Sequence, residues 1–437
     1  MIGWIALGLV VARWAASLWL NRLNGRHVEA HSGSIPPAFA EVIDETTYAR
    51  SVEYTLARLR FGQVSLTYGL VVLVVSLFSG VLPAAHRWFV DTVGSGVWSM
   101  ALFVFAVGTA LSLVTLPLGW YSQFRLEERF GFNTTTPATW WLDIAKRLLV
   151  SLVLLYPLVV LVLAIVGWTG EWWWVWAWVA TTLFQLVTTV LVPIFILPLF
   201  NKLTPLPAGT LSDRLAALAE RTRFATRSIQ VMDGSRRSRH SNAFFTGFGR
   251  QRRIVLFDTL IEQMDEPEVE AVLAHEIGHS KRRHILKGFT VSSIGSLAGL
   301  WVVAWIASRL EFVEAFGFDP VTGHTAVAMA PVLVLFGLLA GAVTFWLDPA
   351  FNWFSRRNEY EADAFAREVI GRPGPMIGAL RKLAEKNLSN LAPHPLYSRW
   401  HYSHPTLLER ESALGRPPPA AGAGRGTRGS DGVPFTG

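Results

Sequence analysis

Apolar residues fall into seven long blocks separated by polar stretches. They run from Ile2 to Leu20 (interrupted by Arg13), then over about Val64–Leu82, Val97–Leu118, Leu148–Trp168, Trp172–Leu199, Gly288–Ala307 and Ala326–Trp346. Each is close to the roughly 20 residues that a helix needs to cross a bilayer. The pattern predicts a mainly α, multi-pass membrane protein with seven transmembrane helices. No basic stretch precedes the first block and no small-residue cleavage site follows it, so it reads as a retained helix.

The spans divide the chain. Residues 1–199 form a membrane region of five spans, 200–287 a first polar segment, 288–346 two further spans, and 347–414 a second polar segment. In the first polar segment, SIQVMDG, NAFFTGFG and RRIVLFDTLI read as short strands, with a hairpin turn at GFGRQ. Asp265-Glu-Pro-Glu268 has the form of a helix start: an acidic cap, a proline in the first turn, and a glutamate three residues after the cap. The helix EVEAVLAHEIGHSKRRH follows. In the second segment RRNEYEADAFAREV reads as a helix. Residues 415–437 are rich in Pro and Gly and read as a disordered tail.

Composition agrees with a membrane protein. Charged residues make up 16% of the chain, against about 25% in soluble domains. There are no cysteines, which excludes disulfides, thiolate metal sites and thiol catalysis. The net charge of +7 fits cytoplasmic loops beside anionic lipid, and no nucleic-acid partner is expected. Lys and Arg are concentrated in loops 21–63 and 119–147, in 200–287 and beyond 347. The intervening loops hold little. The alternation predicts an N-terminus outside, with the polar segments and C-terminus in the cytoplasm. Arginine outnumbers lysine, which points to a GC-rich bacterial genome and a bacterial cytoplasmic membrane. The run EWWWVWAW (Glu171–Trp178) is expected to be an interfacial aromatic belt.

Candidate chemistry centres on HEIGH. Positions i and i+4 share one helix face, so His275 and His279 can direct imidazole nitrogens at one ion. Two imidazoles and a third protein ligand suit catalytic Zn²⁺. Glu276, the next residue round the helix, is placed as general base for the attacking water. A histidine ligand at position 285 is ruled out, because Ile285 is there. His284 is five residues past His279 and is expected on another face, in a basic collar with Lys281, Arg282 and Arg283. In NEYEAD, Glu359 and Asp363 are four apart and share a face that Glu361 does not. Glu359 is the candidate third ligand, and Asp363 the candidate acceptor for a ligating imidazole's other N–H. Asn242 is a candidate anchor for a peptide backbone, and His404 a candidate donor to a developing oxyanion. Arg356, Arg357 and Arg399 read as juxtamembrane anchors.

HEIGH, NEYEADAFA, SRHSNAFFTGFGRQRRIVLFDTLI and HPLYSRWHYSHPTLLER together resemble the CAAX prenyl protease 1 family of integral-membrane zinc endopeptidases, over roughly residues 1–414. The resemblance implies a ring of seven helices around a large chamber, with a cytoplasmic α+β zincin-type catalytic part. It implies one Zn²⁺ on His275, His279 and Glu359, with Glu276 as base and Asp363 behind a ligand. It assigns Asn242 and His404 to substrate. The expected partners are the lipid bilayer and a peptide or protein substrate, lipid-modified or membrane-associated. Eukaryotic members act on prenylated CAAX proteins; the resemblance carries over the machinery, not that substrate. Two other readings remain open here. One is a broad quality-control protease like the HtpX group, which lacks the HYSHP block. The other is a transporter with a regulatory zinc.

Overall fold

The computed structural model describes residues 1–40, 43–224, 228–246 and 253–415. The turn expected at GFGRQ and the Pro/Gly-rich tail lie outside the described residues. In hydrocarbon a helix satisfies its own backbone N–H and C=O groups, and the apolar blocks are helical apart from short breaks such as Ser79–Gly80. The membrane half contains α1 (Ile2–Ala30), α2 (Glu45–Phe78), a short α3 (Val81–Thr92) and α4 (Val97–Val114). Next come α5 (Leu116–Tyr121), a π-helical segment (Ser122–Glu127), α6 (Pro137–Thr169) and α7 (Trp173–Leu191). A second π segment (Val192–Ile196) leads into α8 (Leu197–Phe200).

Among the described residues, six helical runs are long and apolar enough to span a membrane. One of them, Pro137–Phe200, is 64 residues long. It breaks at Gly170, whose φ of 57° favours glycine. α6 and α7 then pack side by side. The seven apolar blocks thus correspond to six runs, one of them bent in two. Trp4, Val64, Val153, Leu183, Ile294 and Trp301 face outward and are exposed. Met100, Phe103, Leu163, Val166, Trp173 and Leu335 form the interior between helices. The Trp run divides the same way: Trp172 and Trp176 are exposed, whereas Trp173 is buried in that interior.

The polar segments build one small α+β unit. It contains β1 (Leu203–Pro205), α9 (Thr210–Arg221), β2 (Ser228–Met232), β3 (Ala243–Thr246), β4 (Arg253–Phe257), α10 (Asp258–Gln263) and α11 (Glu266–Lys281). The strand order is β1-β2-β4-β3, with β2 and β4 parallel and the other pairs antiparallel. β3 is an edge strand. DTLI, expected to continue a strand, is helical in α10. The chain then crosses back through α12 (His284–Ala307), α13 (Leu310–Glu314) and α14 (Ala326–Thr344). It returns as α15 (Asp348–Ile370), α16 (Gly374–Lys386), α17 (Pro395–His401) and α18 (Leu407–Gly415). α15 continues the helical run of α14 but is polar, and it leaves the span to join the α+β unit. Leu215, Ile254, Leu256, Leu273, Ile277, Ala366 and Ala379 share one apolar core. That core holds α9, the sheet, α11, α15 and α16 together.

Candidate metal centre

α11 begins as the sequence predicts. Asp265 and Glu268 form a reciprocal capping box, and Pro267 sits in the first turn. The Asp265 backbone N–H donates to Glu268 at 2.9 Å, which fixes the start of the helix that carries His275, Glu276 and His279. α15 packs along α11. Contact is close because Gly278 has no side chain: a Cβ there would sit 3.0 Å from the Ala362 Cα.

The two helices bring three candidate ligands together. Ligand atoms of His275, His279 and Glu359 lie within 4.8 Å of one another. The two histidine Nε2 atoms are 3.0 Å apart. Nε2 of His275 is 3.4 Å from Glu359 Oε2, and Nε2 of His279 is 3.3 Å from Oε1. Glu359 Oε2 is buried and, among the described residues, accepts no hydrogen bond; Arg410 Nη1 stands off at 3.9 Å. Burial works against charge on Glu359, but the two imidazoles outweigh it and hold the carboxyl far below its ordinary range. Burial also resists charge on His275, yet Asp363 and Glu359 raise it to about 9. The pocket therefore favours positive charge between its donors, in the form of protons or of a metal ion.

Asp363 stands where the sequence puts it. His275 Nδ1 donates to its Oδ1 at 2.8 Å. Its other partner, Arg410 on α18, was not anticipated. Arg410 grips Asp363 with Nε at 2.8 Å and Nη2 at 2.6 Å. Burial would push the Asp363 carboxyl up, but Arg410 and His275 hold it below the ordinary range. The only sequence signal was an arginine in HPTLLER.

His284 corrects the sequence reading. It is buried and not part of a solvated collar. Its Nδ1 is 2.9 Å from Nδ1 of His279, and its Nε2 is 3.1 Å from Glu361 Oε2. Arg283 explains the change. It adopts φ 56° and ends the geometry of α11, so the five-residue offset no longer turns His284 to the far face. Arg356 and Arg357 also make ion pairs that the sequence did not indicate: Arg356 pairs with Glu409 at 3.0 Å and Arg357 with Glu361 at 3.4 Å.

A chamber of about 1350 Å³ opens over these groups. Its walls include Arg13, Trp14 and Ser17 of α1 and Leu66, Gly69 and Leu70 of α2. At the other end lie Glu276, Glu359, Asn242 and His404. His404 Nε2 is 3.5 Å from Glu359 Oε1. Burial lowers its pKa, against the pull of Glu359. Burial, the largest influence on Glu276, raises its carboxyl above the usual value. Asn242 leads into β3; its Oδ1 accepts from the Ala243 N–H at 2.8 Å.

This architecture matches known proteins along nearly its whole length. A family model described as CAAX prenyl protease N-terminal, five membrane helices, matches residues 24–202, and one for peptidase family M48 matches residues 205–417. The chain is 35% identical to CAAX prenyl protease 1 of Saccharomyces cerevisiae, over 87% of this chain and 88% of that one. It is 32% identical to the human CAAX prenyl protease 1 homolog, over 92% and 93%. The crystal structure of S. mikatae Ste24p superposes with a TM-score of 0.88 at 32% identity, covering 95% of this chain and 99% of that one. These matches favour neither the quality-control reading nor the transporter reading. The chain belongs to the CAAX prenyl protease 1 family of M48 peptidases and is an integral-membrane metalloprotease.

Proposed function

We propose that the chain holds one zinc ion through His275, His279 and Glu359 and hydrolyses peptide bonds with Glu276 as general base. The observation that carries this is the convergence of the buried Glu359 carboxylate, whose Oε2 accepts no hydrogen bond among the described residues, with two imidazoles whose Nε2 atoms are 3.0 Å apart. Two imidazoles and a carboxylate are a catalytic zinc set that leaves one position open. Zinc, when bound, polarises the scissile carbonyl and lowers the pKa of water to about 7.

The chain's own groups do the rest. Glu276 takes the proton of the attacking water and returns it to the leaving amine. Its raised carboxyl moves it toward the range suited to a base near neutral pH. Nε2 of His404 points into the site and donates to the oxyanion as charge develops there. The free edge of β3 accepts an extended peptide as an added strand, and Asn242 anchors that peptide's backbone. Asp363 fixes the His275 tautomer.

The substrate is a peptide segment of a protein, membrane-associated or lipid-modified, that reaches the chamber. The relatives are named for CAAX prenyl substrates; peptide hydrolysis is carried over to this chain, and the prenyl requirement is not. The charge pattern of the loops supports a cytoplasmic active site and an N-terminus outside, in a bacterial cytoplasmic membrane.

The test compares wild type with Glu276→Gln on a fluorogenic peptide in detergent, with zinc measured in both. Glu276→Gln is expected to keep its zinc and to lose about 10²–10⁴-fold in kcat. Equal cleavage by the two zinc-loaded proteins would overturn the assignment.

A further inference from the structure

Each candidate ligand histidine has a second ring nitrogen, and the two are held differently. His275 Nδ1 meets Asp363, and Arg410 backs that carboxylate. Among the described residues no carboxylate meets Nδ1 of His279. Its Nδ1 meets His284 Nδ1 at 2.9 Å, with ring centroids 4.9 Å apart and planes at 77°. His284 Nε2 then meets Glu361 Oε2 at 3.1 Å. Lys287 Nζ lies 3.0 Å from that same oxygen, and Arg357 Nε 3.4 Å from the other. The result is a line of groups from a ligand to a carboxylate fixed by two cations.

We propose that His284 and Glu361 are positioning residues for His279, forming a histidine–histidine–glutamate chain that sets its tautomer and ring orientation for the metal. This rests on the zinc reading above. If Nε2 of His279 faces the metal, its proton must sit on Nδ1. That N–H donates to Nδ1 of His284, which in turn holds its proton on Nε2 and donates it to Glu361. One neutral tautomer of each ring satisfies every contact. His284 does not ligate, because it lies on the Nδ1 side of the His279 ring, away from the Nε2 atoms.

The backbone is arranged for this contact. Arg283 is one of few non-glycine residues with positive φ among those described, a conformation that is unfavourable for an L residue. It starts α12 at His284 and brings that ring under His279. Glu361 is two residues after Glu359 on α15, on a different face, and it reaches α12 rather than the metal.

Groups behind a ligating histidine typically contribute about 10–100-fold to metal affinity. The experiment is zinc affinity by chelator competition on the full-length protein in detergent. It uses wild type, His284→Phe, His284→Asn, Glu361→Gln and the ligand control Glu359→Ala, with the Co²⁺ absorption spectrum of each and the melting temperature without metal. His284→Phe keeps an aromatic ring, somewhat larger than imidazole, and removes both nitrogens. It is expected to weaken zinc about 10–100-fold and to shift the Co²⁺ bands. His284→Asn puts an acceptor oxygen near the Nδ1 position and should recover much of the loss. Glu361→Gln, at a partly exposed position and close to isosteric, should weaken zinc less than His284→Phe. Zinc affinity within twofold of wild type in both His284→Phe and Glu361→Gln, with Glu359→Ala metal-free, overturns the chain and leaves the zinc reading standing. Wild-type protein that binds no zinc overturns the reading beneath it. Should His284→Phe melt far below wild type without metal, Glu361→Gln alone decides: an unchanged affinity and Co²⁺ spectrum overturn the chain.

Discussion

Gly278 decides how closely the two ligand-bearing helices approach. An added Cβ would meet the Ala362 backbone at 3.0 and 3.1 Å and Phe365 Cβ at 3.2 Å. Backbone on the opposing helix cannot move aside as a side-chain tip can. Gly→Ala inside a helix ordinarily stabilises by about 1 kcal/mol through propensity. Here the sign should reverse: Gly278→Ala is expected to destabilise by about 1–3 kcal/mol, read by denaturant or thermal melting, and to weaken metal binding. Asp363→Asn is the second test at this scale. It removes the closer of the two carboxylates that face buried Arg410, the other being Glu359 with Oε2 at 3.9 Å, and breaking a buried pair costs up to about 3–5 kcal/mol. Zinc affinity should fall alongside the melting temperature. His275, His279 and Glu359 were legible because each obeys a four-residue helical spacing or a paired acidic motif. Arg410 and His284 were not. Arg410 arrives from a separate helix at the end of the described chain, and His284 depends on a left-handed residue that spacing rules do not foresee.

At the scale of elements, the helix start at Asp265 was readable in full. Its capping box forms, and Lys382 Nζ of α16 reaches both Asp265 at 3.0 Å and Glu268 at 2.7 Å. Asp265→Ala should therefore cost about 1 kcal/mol, measured as a lowered melting temperature with the metal site intact. The junction after α11 carries the opposite prediction. Arg283→Gly relieves the left-handed strain and should leave stability equal or higher, whereas Arg283→Val should lower it by about 1–2 kcal/mol; paired melts of the two variants check this. The strands were partly legible. SIQVM, AFFT and RIVLF alternate or run apolar, but LTP of β1 is three residues long and carries no periodic signal. α2 also runs 34 residues, well beyond its apolar block. Hydropathy marks only the part of a helix that meets lipid, and the polar continuation of α2 packs on the α+β unit, where the Ser51 Oγ donates to the Ser389 carbonyl at 2.6 Å.

For the whole molecule, hydropathy accounted for the spans, and four motifs separated by up to two membrane crossings accounted for the site. The chamber joining them came only through the family resemblance, since concavity leaves no periodic trace. It makes a test possible because the chain has no cysteine. Gly69 faces the chamber with open space where a Cβ would stand, while Val71 is exposed on the outer wall. In a lipid bilayer, a membrane-impermeant thiol reagent should label Gly69→Cys and spare Val71→Cys. The reverse pattern would mean that the chamber is not the wet side of α2.

The central claim is that one metal ion sits between α11 and α15 at the chamber's end. The most direct measurement is an anomalous difference map collected at the zinc absorption edge from crystals of the full chain. A single peak about 2.0–2.2 Å from His275 Nε2, His279 Nε2 and a Glu359 oxygen, absent in Glu359→Ala, is the predicted result. A peak on other residues, or none in protein that cleaves peptide, would contradict it.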